Sequence, residues 1–482
     1  MNLFTLISLL VIWIQTAIAA TSSPQALFSI GIDDVPLEVL QSGVLDNTAI
    51  FGYAFETGID SLAIPWNSLT HLILAFLRVD VSGNATVSSS SIQGVIDTAH
   101  KNNVKVLASV GGSGDGSTNM ASALSTNATQ ANLAASLTKI ISEYDLDGVD
   151  YDFEFPDNTQ QVNSLYAGLL AMRSALNSKF GKGNKTLTMT LYSTNGRFGP
   201  NVPQVNAKPF SDLVDYGLLM SYDYFGSFSS ISAPNAPFYD VPGYPGLSFT
   251  SSISAWLSAG WAPEKLVAGL PYYGRTAIVQ TNSTSTSQFM PNSGAAPPGG
   301  PVSKISGAWT WVDLRDPSDG ALSAPSQAQT GWSRNWDNTT MTPWLLHDVS
   351  STYIGYDDTA SLTIKANHII ASGLAGAMVW MVPYDYQDEL AAVMQSYTES
   401  CSRISKEAIQ SLAESSDSSV DEESGDGING HGSMDGSSQD YDSAIEQGID
   451  GRSSAAAVYN GQLALSWLST LVAMACLLIS HL

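Results

Sequence analysis

Residues 146–156 read LDGVDYDFEFP and place several carboxylates among aromatic and branched side chains. In an extended strand, successive side chains point to opposite faces, so Asp150, Asp152 and Glu154 share one face. The opposite face carries the apolar residues Val149, Tyr151, Phe153 and Phe155. Acidic residues are poor strand formers. Three of them along one face therefore indicate that this face has a chemical role.

Short runs rich in β-forming residues recur on both sides of this segment. We predict eight strands, at 49–55, 71–76, 104–110, 148–154, 187–193, 216–222, 266–272 and 376–382. Helix-like segments at 90–103, 130–144 and 162–180 separate several of them. Alternation of strands and helices favours a parallel sheet, and eight such units predict an α/β fold of the (β/α)8 barrel type. A doubly wound open sheet is the alternative, but no glycine-rich nucleotide loop follows the first run.

The interval between the seventh and eighth runs is too long for a single helix. Residues 276–352 are rich in Trp, Gly, Pro and Ser. A structureless loop of that length is uncommon in a compact domain, so we predict a small inserted subdomain there. Its tryptophans are interpreted either as the core of the subdomain or as a wall of the functional site; they are Trp309, Trp311, Trp332 and Trp336.

The acidic face is expected to point into the barrel. Carboxyl groups stacked along an interior wall repel one another and lose solvation, so at least one should hold a proton near neutral pH. Glu154 falls at the C-terminal end of its strand, where barrel enzymes place their active sites. A protonated carboxylic acid there suits general-acid cleavage of a glycosidic bond. A metal site, a salt-bridged cluster and an exposed strand are the alternatives; histidines are sparse and none lies beside this strand in sequence, which argues against a metal.

The acidic segment also resembles the D-x-x-D-x-D-x-E signature of family 18 glycoside hydrolases, the chitinases and their relatives. Further segments are similar to the family's motifs in the same order over residues 48–398, namely SVGG (109–112), MSYDYFG (220–226), KLVAGLPYYGR (265–275), YIGYDD (353–358) and GAMVWMVPYD (376–385). The sequence departs from the family at Phe153 and Phe155, where Trp and Tyr are frequent. It also departs at Ser113, where Trp is frequent.

The resemblance implies a reaction in which the substrate supplies its own nucleophile. Glu154 would protonate the leaving oxygen, and Asp152 would accept the acetamido N–H of the sugar. Asp150 would share a proton with Asp152, and Ser109 would hydrogen-bond this pair. Tyr222 would align the acetamido carbonyl, and Trp380 would be the floor beneath the sugar. The implied substrate-binding residues are Tyr53, Phe76, Ser109, Gly111, Gly112, Met220, Asp223, Arg275 and Trp380. The resemblance implies no metal and no organic cofactor.

The implied activity is retaining hydrolysis of β-1,4-linked N-acetylglucosamine polymers, with chitin or its oligosaccharides as the partner. Two alternatives stay open: an endo-β-N-acetylglucosaminidase acting on N-glycans, and a chitin-binding lectin without hydrolytic activity. The net charge of −25 argues against nucleic acid as a partner, because phosphates would be repelled. We expect a monomer.

The N-terminal end predicts secretion. Residues 1–20 form an apolar run that ends in small residues, as in a secretory signal peptide, although the usual basic residue is missing. A lead-in at 21–47 then precedes a catalytic domain at 48–400. Sequons for N-glycosylation suit a secreted glycoprotein and lie at Asn84, Asn127, Asn184, Asn282 and Asn338.

The C-terminal end predicts attachment to a surface. Residues 403–455 are rich in Ser, Asp, Glu and Gly, with twelve acids against three basic residues from Arg403 to Arg452, and predict a disordered stalk. Residues 456–482 combine a short spacer after small residues with an apolar tail, the order of a GPI-attachment signal. An intact membrane span is the alternative. Together the two ends predict a secreted protein held at the cell surface.

Overall fold

The computed structural model describes residues 30–89, 91–280 and 287–417. The predicted signal peptide, most of the predicted stalk, the C-terminal apolar segment and the sequon at Asn282 lie outside these ranges. Within them, no helix combines the length and the apolar character that crossing a bilayer requires.

In the described part of the chain, eight parallel strands close into a barrel. Numbered in chain order, they are β1 (Ala49–Phe55), β2 (His71–Val79), β4 (Lys105–Gly112), β5 (Gly148–Phe153), β6 (Thr186–Leu191), β7 (Tyr216–Leu219), β8 (Leu266–Pro271) and β16 (Gly376–Trp380). β1 pairs in parallel with both β2 and β16, which closes the sheet. A short strand β3 (Ala85–Thr86) pairs with β2 in the antiparallel direction. Each barrel strand overlaps a predicted run, so the (β/α)8 prediction is confirmed.

Helices cover the outside of the barrel. They are α1 (Leu37–Ser42), α2 (Ile92–Lys101), α3 (Asp115–Ala123), α4 (Asn127–Tyr144), α5 (Thr159–Phe180), α6 (Lys208–Leu213), α7 (Phe249–Ser258), α9 (Thr359–Ala371) and α10 (Ala391–Asp417). The short helix α8 (Trp311–Arg315) lies in the insertion described below. Side-chain caps explain where α4, α5 and α9 begin. The side chains of Thr126, Asn158 and Asp358 each accept a hydrogen bond from a backbone N–H in the first turn of the helix that follows. The three helices predicted from sequence correspond to α2, α4 and α5.

The predicted insertion is a small antiparallel sheet between β8 and β16. Its strands are β9 (Tyr273–Ile278), β10 (Ala308–Thr310), β13 (Trp332–Asp337), β14 (Thr342–His347) and β15 (Thr352–Gly355), in the order β10-β9-β15-β14-β13. A hairpin of β11 (Leu322–Ala324) and β12 (Gln327–Ala328) lies beside it. The insertion therefore starts and ends slightly outside the predicted 276–352. Arg315 connects the insertion to the segment after β16, because its guanidinium donates hydrogen bonds of 2.8 and 2.9 Å to the Glu389 carboxylate.

The folded region extends beyond the predicted limits of 48–400. Helix α10 continues through residue 417, and Cys401, Ile404 and Ala408 on it are buried. The Arg403 guanidinium donates a 2.7 Å hydrogen bond to the carbonyl of Ile30 in the lead-in. The predicted start of the stalk at 403 is therefore too early, because this part of the helix still buries an apolar face.

Candidate active site

Strand β5 lies between β4 and β6 and carries the acidic residues. Val149, Tyr151 and Phe153 are buried in the large apolar core, whereas Asp150 and Asp152 bond to side chains of neighbouring barrel strands. The predicted two-faced strand is confirmed for these positions. Phe155 differs from the prediction: β5 ends at Phe153, so strict alternation stops there and Phe155 lines the cleft described below.

Asp150 is fully buried and accepts three hydrogen bonds from side-chain hydroxyl groups. Tyr53 Oη and Ser109 Oγ donate to its Oδ2 at 2.8 and 2.7 Å, and Thr188 Oγ1 donates to its Oδ1 at 2.6 Å. Burial raises the pKa of Asp150, while the three hydroxyl groups lower it. Hydrogen bonds from three barrel strands thus fix the position of the Asp150 carboxyl group in the interior of the barrel.

Asp152 lies next along the same face and is 2% exposed. Thr190 Oγ1 donates a 2.7 Å hydrogen bond to its Oδ1, and its carboxyl group also interacts with that of Glu154. Burial raises the pKa of Asp152 well above its usual range, and the charges of Glu154 and Asp150 add to the effect. This agrees with the expectation that at least one acid of the row holds a proton near neutral pH.

Glu154 lies just past the end of β5, at the edge of the cleft. Its backbone N–H donates to Ser117 Oγ at 2.6 Å, and Ser117 in turn donates to the Gly112 carbonyl at 2.7 Å. Burial raises the pKa of Glu154 to about 7; the hydrogen bond with Asp152 lowers it and the charge of Asp223 raises it. Ser117 has no local sequence signal, because its role depends on how α3 packs beneath the end of β5.

Tyr222 presents a protonated hydroxyl close to these acids. Burial, followed by the charges of Asp152 and Asp223, raises the pKa of Tyr222 well above its usual range. Its hydroxyl contacts the Met378 sulfur at 3.7 Å. Met378 was also missed, although it precedes Trp380 by two residues on β16 and alternation places both on one face.

A cleft of about 590 Å³ opens above the barrel at the C-terminal ends of the strands. The predicted site residues that line it together are Tyr53, Asp152, Glu154, Met220, Tyr222, Asp223, Arg275 and Trp380. Trp380 packs against Tyr53 with ring centroids 5.2 Å apart. The insertion contributes Ile305, Ala308 and Thr310 to the wall.

Four predicted substrate-binding residues lie beneath or beside the cleft and do not line it. Ser109 is fully buried under Asp150, which it bonds. Gly111 and Gly112 have positive φ values of 111° and 77°; a Cβ would come within 2.0 Å of the Asp152 carbonyl in the first case and within 2.7 Å of the Phe76 ring in the second. Phe76 stacks beside Trp380, with ring centroids 6.1 Å apart. Ser109 supports the site through its hydrogen bond to Asp150, and the two glycines let the Asp152 backbone and the Phe76 ring approach closely.

The insertion tryptophans do not form a wall of the cleft. All four lie in the described part of the chain, and the residues that line the cleft do not include them. Trp309 and Trp311 are buried, Trp332 packs edge-on against Trp309, and the Trp311 indole N–H donates to Glu389. These three tryptophans therefore pack with the large apolar core that includes the barrel residues, and they do not form a separate core of the subdomain.

Asp147, which precedes β5, has a structural contact. Its Oδ2 accepts the backbone N–H of Val106 at 2.7 Å and lies 2.8 Å from His100 Nε2. A histidine thus does lie beside the entrance of this strand, which the sequence did not reveal. Among the described residues, however, no group of three or more His, Cys, Asp or Glu side chains is arranged to hold a metal ion.

The fold, the acidic row and the cleft can be compared with known proteins. The model of the family "Glycosyl hydrolases family 18" matches residues 49–385. The chain belongs to this family.

Similar sequences include an endochitinase of Manduca sexta, 26% identical over 351 residues, which are 67% of this chain and 59% of the relative. Endochitinase 1 of Metarhizium robertsii is 28% identical over 71% of this chain and 80% of its own. The chain thus spans less than two thirds of the Manduca protein. Among solved structures, a Rhizomucor miehei chitinase matches with a TM-score of 0.64 and 24% identity, covering 72% of this chain and 99% of its own. That likeness shows the same fold.

Proposed function

We propose that this family 18 hydrolase cleaves β-1,4-linked N-acetylglucosamine polymers, with chitin as the substrate class. The observation that carries the proposal is Glu154, whose pKa is raised to about 7 and which shares a cleft with Asp152, Tyr222 and Trp380. The names of similar proteins support the substrate class: several are chitinases, and a Nicotiana class V chitinase has been crystallised with NAG4. An acid that is protonated near neutral pH at a barrel mouth can donate to a glycosidic oxygen.

The proposed chemistry is the one that the resemblance to family 18 hydrolases implies. Glu154 gives its proton to the leaving oxygen, while the acetamido oxygen of the substrate attacks C1 and forms an oxazolinium ion. The sugar C–O bond breaks as the new one forms. Glu154, now a carboxylate, takes a proton from the water that opens this ion, so the configuration is retained.

The neighbouring residues orient the acetamido group. Asp152 in its ionised form accepts the acetamido N–H and stabilises the positive charge of the intermediate. Tyr222 keeps its proton and donates to the acetamido carbonyl. Trp380 offers an aromatic face on which the sugar ring stacks. Each of these groups lines the same cleft.

Family membership does not by itself decide that hydrolysis occurs. One relative, from Moniliophthora roreri, is called a "chitinase-like effector" and is 26% identical over 68% of this chain. The direct test is to incubate the purified protein with an N-acetylglucosamine hexamer and to follow the product anomers by NMR. We expect shorter oligomers whose new ends appear first as the β-anomer. The control is Asp212→Asn, which alters an exposed ion pair with Lys208.

Other outcomes of this assay would replace the proposal. Binding of the hexamer without cleavage would support the lectin alternative. Cleavage of an N-glycan but not of the hexamer would support an endo-β-N-acetylglucosaminidase. Products that appear first as the α-anomer would contradict the retaining reaction.

We also propose that the protein is secreted and held at the cell surface by a GPI anchor. The end segments of the sequence support this, and the four sequon asparagines in the described part of the chain are all exposed; they are Asn84, Asn127, Asn184 and Asn338. Expression in eukaryotic cells followed by a phosphatidylinositol-specific phospholipase tests it. We expect release of a glycosylated protein into the medium. Retention in the membrane fraction would favour an intact span.

A further inference from the structure

Two threonines of β6 face the two buried acids of β5. Thr188 Oγ1 donates to Asp150 Oδ1 at 2.6 Å, and Thr190 Oγ1 donates to Asp152 Oδ1 at 2.7 Å. Alternate residues of a strand share a face, and Asp150 is the register partner of Thr188. One strand therefore supplies one hydroxyl donor to each acid.

The two acids depend on these donors to different degrees. Asp150 receives two further hydrogen bonds, from Tyr53 and Ser109, so its position is fixed from several sides. The described contacts of the Asp152 carboxyl group are the Thr190 hydroxyl and the carboxyl group of Glu154. Loss of Thr190 should therefore change the orientation of Asp152 far more than loss of Thr188 changes the orientation of Asp150.

We propose that Thr190 is a positioning residue that holds the Asp152 carboxyl group beside Glu154 before the substrate enters. With one oxygen bound by Thr190, the carboxyl group keeps its contact with Glu154 and its place on the wall of the cleft. The inference rests on the proposed function, since Asp152 must meet the acetamido group there. A group that is already oriented needs no reorganisation when the reaction begins.

The charges around Asp152 explain why a neutral donor matters. The titratable groups that face it are Asp150 and Glu154 on its own chain segment, Tyr53 on β1 and Tyr222 after β7. The charges of the two acids disfavour ionisation of Asp152, whereas the Thr190 hydroxyl favours it. Loss of this hydroxyl therefore raises the pKa of Asp152 further and makes the ionised, acetamido-binding form less populated.

The test compares variants that remove or keep the hydroxyl group. Thr190→Val keeps the shape and Thr190→Ala reduces it, and both remove the donor; Thr190→Ser keeps the donor. We expect kcat on the hexamer to fall about 10- to 100-fold for Val and Ala, the usual effect of losing a hydrogen bond to a charged group. KM should change less than about threefold, because the Asp152 carboxyl group that Thr190 holds stabilises mainly the transition state. Ser should restore most of the activity.

Two further measurements separate positioning from a general structural effect. The acidic limb of the kcat profile should move to higher pH in Thr190→Val and Thr190→Ala but not in Thr190→Ser. Thr186→Val on the same strand should change neither kcat nor the pH profile. Thermal unfolding of each variant verifies that the fold is kept.

A crystal structure of Thr190→Val gives a readout that does not depend on activity. We expect the Asp152 carboxyl group to turn away from Glu154 in the variant. An unchanged orientation, or an unchanged kcat and acidic limb in both hydroxyl-free variants, would overturn the inference. If the wild type does not cleave the hexamer, the proposed function fails, and the comparison of the two structures still decides the role of Thr190.

Discussion

Asp223 and Arg275 form a two-pronged ion pair beside the cleft. Arg275 Nε lies 2.7 Å from Asp223 Oδ1, and its Nη2 lies 2.6 Å from Oδ2. The backbone of Asp223 is left-handed, with φ at 62°, and its N–H donates to Asn235 Oδ1 at 3.0 Å. The charge of Asp223 raises the pKa of Glu154, so this pair connects the insertion strand β9 to the proton donor.

The pH dependence of the reaction should follow Glu154. Burial raises its pKa to about 7. Glu154 must be protonated to act as the proton donor. Its carboxyl group is protonated at a pH below this pKa and loses the proton as the pH rises through the pKa. We therefore expect kcat on N-acetylglucosamine oligomers to decline as the pH rises through about 7. A rate that stays constant into strongly alkaline solution would contradict this assignment.

Asp223→Asn should move that decline to lower pH. The substitution removes a negative charge that favours protonated Glu154, and it leaves the Arg275 guanidinium without its carboxylate partner. Both changes lower the pKa of Glu154. The measurement is the basic limb of the kcat profile, with Asp212→Asn as the control on the surface. A shift of the basic limb to higher pH would contradict the conclusion that the Asp223 charge raises the pKa of Glu154.

Substrates without the N-acetyl group should be poor substrates. The proposed nucleophile is the acetamido oxygen, and an intramolecular nucleophile can be worth many powers of ten in rate. We expect oligomers without acetyl groups to react slower by about a thousandfold or more. Rates of matched acetylated and de-acetylated oligomers of equal length provide the measurement. Equal rates would show that the substrate does not supply the nucleophile.

A buried ion pair between Lys365 of α9 and Asp357, which precedes that helix, should be important for stability. Lys365 and Asp357 are both fully buried, and Lys365 Nζ lies 2.7 Å from both oxygens of Asp357. It also donates a 2.6 Å hydrogen bond to the carbonyl of Ala236. Lys365→Met leaves a buried carboxylate without its partner, which should lower the free energy of unfolding by about 3 to 5 kcal/mol.

Denaturant unfolding tests this stability prediction. The matched control is Lys208→Met, whose exposed pair with Asp212 should contribute less than about 1 kcal/mol. The double variant Lys365→Met with Asp357→Leu should recover part of the loss, because it removes both charges. Equal stability of Lys365→Met and the wild type would show that the pair contributes little.

The sequence predicts those features that depend on a local repeat. Asp150 and Asp152 could be placed on the interior face because side chains alternate along a strand. The same rule put Glu154 on that face at the C-terminal end of the predicted strand, whereas the structure ends the strand at Phe153. The strand positions followed from short β-forming runs. A motif does not show which of its residues reach the cleft, so Gly111 and Gly112 were assigned to substrate contact although they do not line it. The hydrogen bond expected from Ser109 to the acid pair is present, at Asp150.

Other features depend on neighbours that the sequence does not specify. Thr190 looks like any other threonine in a β-forming run until the register of β5 and β6 is known. Ser117 becomes important only because α3 packs beneath the strand end. The continuation of α10 past residue 403 was missed because its apolar face is sparse and runs into a polar segment. These features result from tertiary packing and have no local signature.

The most direct measurement is the effect of Glu154→Gln on turnover and on binding. The amide keeps the size of the side chain but has no acidic proton to give to the leaving oxygen. We predict that kcat on the hexamer falls about a thousandfold or more, within the range that general-acid catalysis contributes. Calorimetric affinity for the same hexamer should stay within about threefold, because the contacts to the ground state remain. Turnover equal to that of the wild type would contradict the role of Glu154 as the proton donor.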